Sequence, residues 1–166
     1  MIRIILDDER IINIELDEVN APISVTNFLK LIDKKYFDGV IFHRVIKNFM
    51  IQTGKYYIDD NSLKEKEDVE SIKGEFTENG FNNPLKHLKG TISMARTSDM
   101  NSASSQFFIC SVDCPHLDGA YAAFGKVADE ESMKVVEDIS NVETARFYYF
   151  NDFPVEPVII KTIERV

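Results

Sequence analysis

The chain opens with two segments in which a large aliphatic side chain occupies every second position. The segments are IRIIL and RIINIEL, and DDE between them supplies a polar turn. The aliphatic residues of the two stripes are Ile2, Ile4, Leu6, Ile12, Ile14 and Leu16. A period of two that is repeated after a polar turn predicts an antiparallel β-hairpin.

Two later stretches show helical spacing instead. In SVTNFLKLIDKKYF, which begins at Ser24, apolar residues recur three and four positions apart, and Gly39 follows the last of them. In SMKVVEDIS, Ser132 precedes a similar stripe. Serine is a favoured helix N-cap, and glycine commonly follows a helix end. We therefore predict two short α-helices, capped by Ser24 and Ser132.

The rest of the chain is mostly strand-like. Further apolar runs are residues 41–54, GTISMAR, SQFFICSV, YAAFGKV and the last segment, VEPVIIKTIERV, which is rich in β-branched residues. The segment from Lys55 to Lys73 is polar and sustains neither period, which predicts a solvated excursion. Many short strands with two helices indicate an antiparallel β-architecture, and closure into a barrel would remove exposed edges. Without a repeat or a linker, residues 1–166 are predicted to form a single domain.

The charge balance restricts the partners. Asp and Glu outnumber Lys and Arg by 28 to 19, for a net charge of −9, so nucleic-acid binding is not expected. No apolar run approaches the roughly 20 residues of a membrane span. The N-terminal segment reaches an Asp pair at Asp7, which is not typical of a signal peptide. We expect a cytoplasmic protein without membrane association.

Signatures of metal, cofactor and nucleophile chemistry are missing. The chain has no GxGxxG, GxxxxGK[ST], HExxH or GxSxG motif. Cys110 and Cys114, in CSVDC, could form a metal or redox pair or could be two free thiols. Structural zinc usually has four ligands, and no second Cys or His pair lies nearby. We favour free thiols in a reducing compartment, and we expect no metal and no cofactor.

The stretch FHRVIKNFMIQTG, residues 42–54, places Arg44 in a mostly apolar run. An arginine is always charged, so it requires either a buried carboxylate partner or a position at a cleft. A two-residue turn would set Arg44 opposite Ile51. A three-residue connection would set it opposite Gln52 and on one face with Met50. The sequence pattern leaves both the environment and the register open.

The same stretch resembles the cyclophilin signature FHRVIxxFMIQGG, and SQFFIC and LDGAYAAFGKV resemble the family's SQFFI and LDGxxxxFGKV elements. VTNFLKL, GTISMAR and PVIIKTIERV also fit in order and spacing, so the resemblance covers nearly the whole chain and is closest to bacterial-type members. It implies a mainly β fold, a closed eight-stranded antiparallel β-barrel with two short α-helices covering its ends. The implied activity is peptidyl-prolyl cis–trans isomerisation during protein folding, without a cofactor or metal.

The matched motifs carry over the family's site positions. The implied catalytic residues are Arg44, Phe49 and Gln52. The implied substrate-binding residues are Met50, Ala95, Arg96, Gln106, Phe108, His116, Leu117 and Tyr121. Arg44 is expected to stabilise the twisted amide, while an apolar pocket holds the proline ring. We expect His43 to be a hydrogen-bonded neighbour of this site and His87 to lie on the surface.

Two positions depart from the family pattern. His116 stands where well-known members have Trp, which implies a more polar rim and weak binding of cyclosporin-type macrocycles. Thr53 replaces the first glycine of IQGG. It would be strained if that position needs a positive φ, and tolerated if it only needs a small residue. The expected partners are proline-containing peptides and unfolded or flexible protein segments, and the chain is expected to be a monomer.

Overall fold

Twelve β-strands and two α-helices make up the structure, a computed structural model that describes residues 1–166. The strands, numbered β1 to β12 along the chain, are Ile2–Leu6, Ile11–Leu16, Arg44–Ile46, Met50–Thr53, Tyr56–Asp59, Ser62–Glu65, Thr91–Met94, Phe107–Cys110, Ala123–Val127, Thr144–Phe147, Phe150–Pro154 and Ile160–Arg165. The helices are α1, Pro22–Asp33, and α2, Glu130–Ser140. The predicted mainly β architecture with two short helices is confirmed. Neither helix has the length and apolar content that a membrane span requires.

Eight strands form one antiparallel sheet in the order β12-β1-β2-β9-β7-β8-β4-β3. The sheet curls strongly but stays open, so the predicted closure of the barrel is not confirmed. Its edge strands are β12 and the three-residue β3, and no ladder joins them. The irregular segment before β3 meets the start of β12 through a single bridge between Ile41 and Ile159.

The alternation at the N-terminus produces the predicted hairpin. In β1 and β2, Ile2 lies opposite Ile14 and Ile4 lies opposite Ile12, and all four side chains are buried. They belong to the same core as α1. There Phe28 packs against three other phenylalanine rings, at centroid distances of 5.1–5.4 Å. One buried face of the sheet and the apolar stripe of α1 therefore pack against each other.

Both predicted helices form, but both begin earlier than expected. The N-cap of α1 is Ala21, because Pro22 suits the first helical position; Ser24 lies inside the first turn. The N-cap of α2 is Asp129, whose carboxylate accepts a hydrogen bond from the backbone N–H of Ser132 at 2.7 Å. The predicted N-caps Ser24 and Ser132 are therefore wrong.

Three connections also differ from the sequence-based prediction. α1 ends at Asp33, well before Gly39, because Lys35 has a φ of 59°, a left-handed conformation that ends the helix. The polar segment 55–73 contains the hairpin β5–β6, whose two-residue turn at 60–61 has positive φ at both positions. β10 and β11 form a further hairpin that no sequence pattern predicted.

Candidate active site

A three-residue connection sets the register between β3 and β4. Arg44 lies opposite Gln52, and Ile46 lies opposite Met50. Asn48, in the middle of the connection, has a φ of 60°, which asparagine tolerates better than most residues. Because side chains alternate along a strand, this register sends Arg44, Met50 and Gln52 to one face. It is the second of the two registers that the sequence left open.

Arg44 is exposed at the cleft and has no carboxylate within ion-pair distance. Its Nη1 donates a hydrogen bond to Gln52 Oε1 at 3.2 Å. Gln52 Nε2 donates in turn to Gln106 Oε1 at 2.9 Å. The alternative of a buried arginine paired with an acid is therefore wrong. A neutral amide positions the guanidinium and leaves its charge uncancelled.

Beside this cation lies an apolar cup. Its floor consists of the buried side chains of Met50, Phe108 and Leu117, and Phe49 and Ala95 pack at its edge. Cup and guanidinium line one cavity of about 230 Å³. Sites for drug-sized ligands usually span about 300–1,000 Å³. The cavity is thus suited to one small ring with its flanking backbone.

Ten of the eleven site residues that the motifs indicate line this cavity. They are Arg44, Phe49, Met50, Gln52, Ala95, Arg96, Gln106, Phe108, Leu117 and Tyr121. The remaining residue, His116, is exposed at the rim, where its ring lies 5.4 Å from that of Phe49. Both His116 and Leu117 belong to the short 3-10 turn Pro115–Leu117, which buries Leu117 in the cup and leaves His116 outside the cavity.

Arg96 is held by backbone carbonyls and aromatic rings. Its Nε and Nη2 donate to the carbonyl oxygen of Ala120 at 3.0 and 2.7 Å, and Nη1 donates to that of Thr97 at 2.9 Å. The guanidinium also lies 4.6 Å from the ring centre of Tyr121 and 4.9 Å from that of Phe76. Through these contacts Arg96 joins the loop after β7 to the loop before β9 at the wall of the cavity.

Three aromatic residues that are not among the predicted site residues lie at one end of the cavity: His43, Tyr56 and Phe150. The ring of His43 lies 4.7 Å from that of Tyr56 and 5.1 Å from that of Phe150. Burial, and to a smaller extent the charge of Arg44, lowers the pKa of His43 to about 3, so its imidazole is neutral at pH 7. Its Nδ1 has no hydrogen-bond partner, while a side-chain hydrogen bond with Gln106 partly opposes the lowering of its pKa. The one local signal for Phe150 is the aromatic run FYYF.

Comparison with known proteins decides the family. Residues 1–165 match the family model described as cyclophilin type peptidyl-prolyl cis-trans isomerase/CLD. The chain belongs to the cyclophilin family. It is a peptidyl-prolyl cis–trans isomerase, as its motifs predicted, and isomerises X–Pro peptide bonds.

This cyclophilin is similar to isomerases from bacteria and to a solved structure. It is 40% identical to peptidyl-prolyl cis-trans isomerase A of Dickeya dadantii over 156 residues, which cover 91% of this chain and 77% of the relative. It is 39% identical to peptidyl-prolyl cis-trans isomerase B of Escherichia coli over 151 residues, covering 86% of each. A cyclophilin type isomerase from Cryptosporidium parvum, crystallised in the presence of the dipeptide Ala-Pro, aligns with a TM-score of 0.76 and 30% identity, over 98% of this chain and 96% of that one.

His87 is buried behind the cup of this cyclophilin, so its expected surface position is wrong. Its Nδ1 lies 3.2 Å from Asp118 Oδ1, and its Nε2 lies 2.9 Å from Ser93 Oγ. Burial lowers the pKa of His87 despite the nearby carboxylate. Ser93 is fully buried, so no substrate reaches its hydroxyl and the three residues form no hydrolytic site. The His87 ring stacks on Phe108, whose side chain belongs to the floor of the cup, with ring centroids 6.1 Å apart.

Thr53, in the place of the cyclophilin glycine, is an ordinary buried strand residue. Its hydroxyl donates a hydrogen bond to the carbonyl oxygen of Ile41 at 2.7 Å, and its φ is not positive. The alternative of a strained Thr53 is therefore excluded, and the alternative that this position accepts a threonine is correct. The next residue, Gly54, has a φ of 116°, and a Cβ on it would lie 2.4 Å from the carbonyl oxygen of Ser105. The second glycine of the motif is the one that the backbone requires.

The two cysteines lie behind the apolar cup as free thiols. Cys110 and Cys114 are buried and pack in the same cluster as Met50. Burial raises the pKa of both thiols, which keeps them protonated and unreactive at neutral pH. No group of three or more His, Cys, Asp or Glu side chains is arranged to hold a metal ion.

Proposed function

We propose that Arg44, Phe49 and Gln52 catalyse rotation about the X–Pro bond. Rotation breaks amide resonance over a barrier of about 18–20 kcal/mol and transfers no proton. In the twisted amide the prolyl nitrogen regains a lone pair, which a fixed cationic donor stabilises more than it stabilises the planar amide. The observation that carries this proposal is the guanidinium of Arg44, which has no carboxylate partner and is held by the neutral amide of Gln52.

In this proposal the apolar cup holds the pyrrolidine ring. Met50 and Phe108 supply buried apolar surface for the ring, with Phe49 beside them. Gln52, with Gln106 behind it at 2.9 Å, holds the substrate backbone or orients the guanidinium. A ring fixed in the cup next to an oriented cation keeps the amide in the geometry that rotation requires.

The proposed substrates are proline-containing peptides and unfolded or flexible protein segments. Uncatalysed X–Pro isomerisation takes tens to hundreds of seconds and can limit folding. The Ala-Pro dipeptide used with the Cryptosporidium parvum relative supports this substrate class. The exposed His116 at the rim supports weak binding of cyclosporin-type macrocycles. We further propose that the protein acts as a monomer in the cytoplasm, where its two thiols stay reduced.

The test is an isomerisation assay on a proline peptide, by exchange NMR or protease coupling, comparing wild type with Arg44→Ala. We expect kcat/KM to fall by about 10²–10³-fold, the effect of losing one well-placed donor. Because Arg44 is exposed, the free energy of unfolding should change by less than about 0.5 kcal/mol. The lost activity would then not be a loss of fold.

Two variants serve as controls. Lysine keeps the charge but lacks the planar fork of arginine, so Arg44→Lys should recover only part of the activity. Lys47 is an exposed cation on the same hairpin, and Lys47→Ala should leave kcat/KM unchanged. A rate for Arg44→Ala within about threefold of wild type would contradict the mechanism.

A further inference from the structure

The β10–β11 hairpin presents a row of aromatic rings beside the cavity. Its turn consists of Tyr148 and Tyr149, which are 56% and 67% exposed to solvent. Phe150 follows and lines the cavity together with Arg44. The rings of Tyr149 and Phe150 are in contact, with centroids 4.6 Å apart. We call Tyr148, Tyr149 and Phe150 the aromatic shelf.

The shelf is fixed from below and strained at its tip. Phe153 is buried, and its ring centroid lies 4.7 Å from that of Phe147 and 5.9 Å from that of Phe150. Tyr148 has a φ of 53°, a conformation that is rare for a bulky residue and that hairpin turns usually assign to asparagine or glycine. Strained positions of this kind concentrate at functional sites. A large ring thus occupies the tip although a small residue would suit the backbone better.

Two neighbouring parts of the cleft differ in chemistry. In one part the shelf continues into the rings of His43 and Tyr56. A second hollow, which adjoins the cavity at Arg96, is lined by the hydroxyl-bearing residues Thr97, Ser102 and Ser104. The cavity and the second hollow share Gln52, Ala95, Arg96 and Gln106, and the second hollow contains no residue of the shelf. A cleft that holds a proline in the cup thus has hydroxyl groups in the adjoining hollow and exposed rings on the shelf.

We propose that the aromatic shelf binds an aromatic side chain of the client segment, within a few residues of the proline that is isomerised. The inference rests on the proposed function, since it requires a proline in the cup. Aromatic pairs gain stabilisation from ring geometry beyond simple burial, and exposed apolar patches beside a cleft commonly serve binding. The shelf gives the enzyme a preference for X–Pro bonds near Phe, Tyr or Trp, which are accessible in unfolded chains.

The test measures kcat/KM by exchange NMR for peptides with one proline and a single Phe at each position within three residues on either side, against matched peptides with Ser. We expect the wild type to favour at least one Phe peptide by about five- to tenfold. In the double variant Tyr148→Asn/Tyr149→Ser this ratio should fall below about twofold; asparagine accepts the positive φ of the turn. Val19→Ser, at another site that is 85% exposed and outside the cleft, should keep the wild-type ratio.

Two results would overturn the proposal. One is an equal kcat/KM for Phe and Ser peptides at every position, or a preference that the double variant retains. The other is a concentration-dependent dimer in sedimentation velocity that the double variant abolishes, because a second copy would then cover the shelf. Wild-type protein that isomerises none of the peptides would refute the proposed function instead. In that case an NMR titration with the Phe and Ser peptides, followed through the signals of the shelf residues, tests separately whether the shelf binds an aromatic side chain.

Discussion

At the residue scale, a neutral amide holds the cation in this cleft. The hydrogen bond of 3.2 Å from Arg44 to Gln52 fixes the guanidinium, and Gln106 orients Gln52 in turn at 2.9 Å. A carboxylate in place of Gln52 would bind the guanidinium more strongly. It would also cancel the field that the proposed mechanism directs at the twisted amide. In the proposed mechanism the two glutamines orient the guanidinium of Arg44, and its positive charge stays available to the substrate.

The glycine at the end of β4 gives a prediction at the same scale. Gly54→Ala places a Cβ 2.4 Å from the carbonyl oxygen of Ser105 at a φ of 116°, so the free energy of unfolding should fall by about 3 kcal/mol or more. Thr53→Ser keeps the hydroxyl that bonds Ile41 and should lose about 1 kcal/mol. Urea unfolding measures both variants. Small and equal losses would show that the backbone relaxes around the new Cβ.

At the element scale, periodicity predicted the strands that bury one face. β1 and β2 follow it closely, because a one-residue slip would turn Ile2 and Ile4 outward. The hairpins β5–β6 and β10–β11 lie largely outside the core, so few buried positions mark them. In FYYF the aromatic residues are consecutive and show no alternation. The predicted N-caps are wrong because Pro22 starts α1 directly after Ala21, and in α2 the carboxylate of Asp129 caps the helix three residues before Ser132.

Helix α1 supplies the prediction at this scale, because a carboxylate from a distant loop closes its N-terminus. Glu75 Oε1 accepts hydrogen bonds from the backbone N–H and the hydroxyl of Ser24 at 2.6 and 2.7 Å, and Oε2 accepts one from the backbone N–H of Ile23 at 3.1 Å. Glu75 is fully buried. Glu75→Ala leaves these donors unpaired, so we expect it to lose about 3 kcal/mol of unfolding free energy.

Glu78→Ala is the matched control for the Glu75 variant. Glu78 is an exposed glutamate in the same loop, and its loss should change stability by less than about 0.5 kcal/mol. Glu75→Gln keeps one acceptor oxygen and should fall between the two. Urea unfolding followed by circular dichroism compares all three variants. If Glu75→Ala proves as stable as Glu78→Ala, the carboxylate is not needed to cap α1.

At the scale of the whole molecule, the cavity draws on segments that are distant in sequence. The family motifs indicated the segments that reach it, since each is a long and specific match. His116, which the motifs assign to the rim, does lie there, beside Phe49 and outside the lining of the cavity. The motifs say nothing of Phe150, which enters the cavity because β11 packs beside β3. Only the folded arrangement shows that contribution.

Two buried, neutral histidines make the stability of the whole molecule depend on pH. Burial is the main cause that lowers the pKa of His43 to about 3, and it lowers the pKa of His87 as well. In the unfolded chain a histidine takes up its proton near pH 6.5. Below that pH the unfolded state therefore binds more protons than the folded state. Stability falls as the pH decreases, with a slope from His43 of about 1.4 kcal/mol per pH unit.

The variant His43→Phe isolates this effect, because phenylalanine keeps a ring against Tyr56 and Phe150 but binds no proton. Between about pH 6.5 and 5, wild type should lose about 2 kcal/mol more unfolding free energy than the variant. Carboxyl groups contribute at lower pH; the backbone N–H of Ser132, for example, lowers the pKa of Asp129 from its ordinary 3.8. Denaturant unfolding at the two pH values measures the difference, and NMR shifts of the His43 ring report its protonation directly. An identical pH dependence in both proteins, or a His43 ring protonated at pH 5, would refute the lowered pKa.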